Sequence, residues 1–227
     1  LVVSSILLPR ATGRAKAVSL RALWSDDARI RWLSAARLFL FGARDVWFVL
    51  AVPVFLAADL GWSFTRVGGF LALWVIGYGL VQAAAPAWVS GRSGAPPTAG
   101  RLVGWTWALV LPMGAILCLL RAGAPPGPTL VAGLAVFGLV FAANSAVHSF
   151  LIVRYSDADR VSLNVGFYYM AHAAGRLVGT VLSGAVFQAA GEGRAGLEAC
   201  LATSIGMVVL SAVLGAGVRR AERLELA

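Results

Sequence analysis

Four stretches of this chain, 67–91, 102–120, 122–153 and 200–218, each run for at least nineteen residues without a charge. Each is close to or longer than the ~18–20 apolar residues that cross ~30 Å of hydrocarbon. Charged residues are only 13% of the sequence and hydrophobic ones 59%, with a mean hydropathy of +0.82. The solvent for most of this surface is therefore lipid. Backbone polar groups in lipid must be satisfied within the segment, which selects helices and gives an all-α integral membrane fold.

Six spans are expected, at about 34–58, 65–89, 102–120, 128–153, 161–190 and 197–218. Residues 1–9, "LVVSSILLP", read as the end of a preceding transmembrane helix, 10–33 as a basic linker, 34–218 as the six-helix bundle and 219–227 as a tail. The chain is thus expected to be the C-terminal part of a longer membrane protein. An even number of spans puts linker and tail on one side, where 14 basic residues stand against 3 on the other. The positive-inside rule makes that side cytoplasmic, so the net charge of +9 sets topology and does not mark a nucleic-acid surface. In this count Arg37 belongs to the linker.

Several lesser features fit the same picture. Trp62, Trp88, Trp105 and Trp107 lie near span ends, as in an aromatic belt. Pro53, Pro86 and Pro112 fall in or near the ends of spans and are expected to kink them. Gly175, Gly179 and Ser183 recur at spacing four and offer a surface for close helix approach. Cys118 and Cys200 stand singly, without the spacing of a metal site, and read as packing residues.

Against this background the embedded polar residues stand out. Arg44 and Asp45 interrupt "RLFLFGARDVWFV", and a centrally placed charge costs ~2.5–3.5 kcal/mol, so partner, water or function must offset it. Adjacent side chains leave a helix about 100° apart, so these two are not expected to neutralise each other on one face. Asn164, Tyr168, His172 and Arg176 follow at spacing four, forming one polar stripe that drifts by about 40° per step. Asn144 and His148 repeat the spacing in the fourth span, and Tyr78 and Gln82 are secondary candidates in the second. Together these side chains would line a wet, cationic cavity suited to a small anion carrying phosphate or carboxylate, with arginine as the clamp. His148, His172 and Asp45 are the groups able to change protonation there. No phosphate-binding loop, nucleophile elbow or metal motif is present, which argues against an enzyme and calls for no cofactor.

The segments "LSAARLFLFGARDVWFV", "GWSFTRVGGFLALWVIGYGLVQ", "NSAVHS" and "LNVGFYYMAHAAGRLVGTVLSG" resemble the C-terminal half of the organoarsenical efflux permeases (ArsJ-type) of the major facilitator superfamily. The likeness runs over about residues 33–190 and includes Arg44, Asp45 and Arg176. It implies a twelve-span permease of the bacterial inner membrane, completed by a missing N-terminal half. Its implied cargo is 1-arseno-3-phosphoglycerate, made when glyceraldehyde-3-phosphate dehydrogenase uses arsenate in place of phosphate, and export confers arsenate resistance. The resemblance assigns no individual binding residue. The loop "VSGRSGAPPTAG" departs from the superfamily's charged gating loop. Export of another phosphorylated or carboxylated metabolite is the near alternative; a membrane-embedded enzyme using Asp45 with His148 or His172, or a scaffold without transport, are the others.

Overall fold

The computed structural model describes residues 24–90 and 94–225. The expected end of a preceding helix at 1–9, most of the linker and residues 91–93 of the loop after the second span lie outside the described residues. So does the side chain of Trp88. Within the described residues all regular structure is helical, and six units are long and apolar enough to cross a membrane: Ala28–Ala58, Phe64–Ala84, Ala99–Arg121, Pro126–Tyr155, Ala158–Ala189 and Gly193–Glu225. By helix length and hydropathy this is a multi-pass membrane protein.

The first span is built from α1 (Ala28–Phe48) and α2 (Ala51–Ala58), and the second from α3 (Phe64–Ala84), followed by the short α4 (Pro86–Val89). The third comprises α5 (Ala99–Ala108) and α6 (Val110–Arg121). Then come α7 (Pro126–Tyr155), α8 (Val161–Ala189) after a single 3₁₀ turn, and α9 (Gly193–Glu225). The breaks have one cause. A proline lacks the N–H that would bond four residues back, and its ring crowds that carbonyl. Pro53, Pro86 and Pro112 accordingly break their helices at 49–50, 85 and 109, within one turn upstream.

The first helix starts at Ala28, six residues before the expected boundary, because the Asp27 carboxylate accepts the Arg29 amide at 2.7 Å and caps the first turn. Ser63 caps α3 through the Arg66 amide in the same way. The last helix runs on to Glu225, so most of the expected tail is helical. Glu222 ties the linker end together: it accepts the Ala99 amide at the start of α5 and the Tyr155 hydroxyl at the end of α7. Arg29 bridges Asp27 and Glu225, joining first and last spans at that end. At the opposite end Arg121 and Arg194 share Glu198.

Helix α1 lies between α8 and α9 and is the most enclosed element. A Cβ at Gly175 would overlap the Leu38 carbonyl, and one at Gly179 the Gly42 carbonyl, so α1 and α8 touch backbone to backbone. On its other side, Ser211 donates to the Ala36 carbonyl at 2.8 Å and Ser204 donates to that of Ala43. Cys200 packs against the Ser183 carbonyl, and Cys118 is exposed. One apolar cluster centres on Trp47, Phe137 and Phe141; a second, toward the linker end, centres on Leu33, Leu102, Leu151 and Tyr168. Only 6% of the most apolar stretch of the second span and 22% of the fifth are buried, against 56% in the first and fourth, so the second and fifth present open faces.

Candidate functional site

Positions 37, 41, 44 and 45 lie on one side of α1, because steps of three and four residues return to the same face of a helix. The glycine contacts then press α8 close enough for Arg176 to reach that face. Asp45 is fully buried and receives two charge-assisted hydrogen bonds. Arg44 donates Nε to Oδ1 at 2.7 Å, with Nη2 in ion-pair contact with the same oxygen at 2.6 Å, and Arg176 donates Nε at 3.0 Å to Oδ2. This corrects the expectation that Arg44 and Asp45 do not neutralise each other on one face. The Cβ directions diverge, but the arginine side chain is long enough to fold back onto its neighbour.

Arg37 is also here, and the sequence reading placed it in the linker. Because α1 begins at Ala28, Arg37 sits more than two turns inside the helix and is 3% exposed. Its Nε donates to His172 Nδ1 at 3.3 Å and its Nη1 to Ser145 Oγ at 3.1 Å. The guanidinium lies over the rings of Phe41 (4.0 Å) and Tyr168 (5.1 Å). Arg44 lies over the same Phe41 ring at 4.9 Å, and His172 is 3.9 Å from it. All three arginines therefore form one cluster around Phe41 and His172. The missed signal was the spacing Arg37, Phe41, Arg44 on a helix whose capping residue, Asp27, precedes it by ten positions.

The stripe on α8 turns from the interior to the surface, as its 40° drift requires. Asn164 and Tyr168 are buried, His172 is half-buried and the Arg176 side chain is 53% exposed. Tyr168 and His148 join the cluster on its inner side, their rings 6.4 Å apart. Both His148 ring nitrogens are buried without a hydrogen bond, and the Tyr168 hydroxyl has no well-formed one. Tyr78 stands at the edge, stacked on Trp74 and 5.8 Å from Phe141, over which Arg44 also lies.

Three candidates lie elsewhere. Asn144 exchanges hydrogen bonds with Thr106 and so joins α7 to α5. Asn164 accepts from Ser25 at 3.0 Å. Gln82 lines a separate cavity of about 530 Å³ with Pro86, Ser149 and Phe150. Among the described residues, no three His, Cys, Asp or Glu side chains group as metal ligands. No family model and no curated protein matches the chain.

Chemically, the cluster holds three permanent cations and one carboxylate, with imidazole, hydroxyl and aromatic groups between them. Its excess positive charge faces outward through Arg176, on the open side of the fifth span. Such a site attracts and orients an anion; it contains no activated nucleophile.

Proposed function

We propose that the protein is a membrane permease that exports a small, multiply charged oxyanion, and that the six spans are the C-terminal half of a twelve-helix major facilitator fold. The observation that carries the first part is the clustering of Arg37, Arg44 and Arg176 around Phe41 and His172 inside the bundle, with a single carboxylate, Asp45, held by Arg44 and Arg176. A surplus of fixed cations in that setting is what binding of a phosphate- or arsenate-bearing solute requires. The sequence resemblance to the organoarsenical permeases narrows the cargo to 1-arseno-3-phosphoglycerate. The open faces of the second and fifth spans support a further bundle packing there.

With linker and tail in the cytoplasm, as the charge bias favours, the site serves efflux from the inner membrane. Energetics suit that direction. An anion leaving a negative interior gains ~2.3 kcal/mol per charge per 100 mV, so a dianion is driven outward without a coupled ion.

The test is survival and intracellular arsenic in arsenate-sensitive cells expressing the protein from its full reading frame, with and without glyceraldehyde-3-phosphate dehydrogenase. Resistance that needs both supports the cargo; resistance indifferent to the dehydrogenase refutes it. Arg44→Ala and Arg176→Ala are expected to abolish efflux at unchanged membrane levels, and wild-type efflux in both would reduce those arginines to packing.

A further inference from the structure

Arg37 differs from the other two arginines in its partners. Among the described residues no carboxylate pairs with it, whereas Arg44 and Arg176 share Asp45. Its hydrogen bonds go to a neutral imidazole nitrogen and a neutral hydroxyl, and the Tyr168 hydroxyl is its other polar neighbour, so none of these partners carries a compensating charge. A buried cation held only by neutral groups and ring faces carries an uncompensated desolvation cost.

A second, independent observation adjoins it. His148 lies three residues after Ser145 on α7, on the same side of that helix, and both of its buried nitrogens are unpartnered. The Tyr168 hydroxyl beside it is equally short of a well-formed bond. Spare donors around a surplus cation are the complement of a group with several anionic oxygens. A monocarboxylate would leave most of them unused; a phosphate-type head would not. Access also follows from the geometry. His172 is half-buried and stands between Arg37 and the exposed Arg176 and Tyr169, 5.9 Å from the Tyr169 ring.

We propose that Arg37 is the inner anion-binding residue of this site, and that His172 Nδ1 and Ser145 Oγ are neutral acceptors which an incoming phosphate-type oxyanion displaces. The inference rests on the permease reading and adds to it the identity of the residue that takes the phosphate head. His172 acts as a swinging cover: rotation of its ring releases the Arg37 fork and opens the path from the exposed face.

The experiment is calorimetric titration of the full-length protein in uncharged detergent with glycerol 3-phosphate, inorganic phosphate, acetate and a short-chain phosphatidic acid. Arg37→Gln is expected to weaken binding of both soluble phosphates about tenfold or more and leave acetate unchanged, since the paired fork is lost. Arg37→Lys keeps the charge without the fork and falls between. Ser145→Ala removes an acceptor that the anion must displace, and so tightens binding about two- to threefold. A merely structural role would move the melting temperature and not the affinities. Should Arg37→Gln fail to fold, the lysine and Ser145 variants decide the question. Wild-type affinities in the Arg37 variants, no binding of either soluble phosphate by the wild type, or binding of the lipid phosphate alone would each overturn the proposal. Phosphate binding that depends on Arg37 in a protein that confers no arsenate resistance would instead refute the cargo and leave the inference standing.

Discussion

Asp45 has no exposed surface and carries two guanidinium groups from different helices, one on each carboxylate oxygen. Its removal leaves Arg44 and Arg176 without a counter-charge, and breaking a buried pair in this way costs ~3–5 kcal/mol. Asp45→Asn is therefore expected to lower the melting temperature of the purified protein sharply. Adding Arg44→Gln should recover a large part of that loss, because it removes one of the stranded cations. A double variant as unstable as the single one would mean that the Arg176 contact alone fixes the bundle. The identity of these residues was legible in the sequence, since a charge in an apolar run announces itself. Arg37 was not, because a basic residue beside a basic linker looks like topology. Only the helix start at Ala28, set by the Asp27 cap, places it inside.

The elements that bring these residues together are α1 and α8, and their contact depends on having no side chain at three points. Gly42, Gly175 and Gly179 let the two backbones meet. Gly175→Ala must push the helices apart, and overpacking of this kind costs ~1–3 kcal/mol. It is expected to reduce both membrane yield and phosphate binding. Gly79→Ala, on the open second span where a Cβ meets nothing within 4 Å, should do neither, and equal damage from both would deny the contact its role. The spacing of glycines in the fifth span showed a close approach to come, but not to which helix. A small-residue stripe lacks a partner's address until the fold supplies Leu38 and Gly42. The proline breaks were legible for the opposite reason: the cause and its effect lie within one turn of the same chain.

At the scale of the molecule, six spans and their order followed from run length and composition, while the grouping of first, fifth and sixth did not, because apolar lengths carry no pairing information. Orientation is testable directly. With Cys118 and Cys200 replaced by alanine, a cysteine at Gly123 or Asp59 should react with a membrane-impermeant thiol reagent in intact cells, and one at Ser156 only after permeabilisation. The reverse pattern would refute the cytoplasmic placement of linker and tail. The glycine contact between α1 and α8 also has a mechanical meaning. Two backbones with no side chains between them have no slack in which to slide, so these helices travel as one lever. The charged cluster rides on that lever, entirely on the linker side of the break at 49–50. In the permease proposed above, alternation between the two membrane faces is expected to bend the first span at that break around an unchanging set of ion pairs.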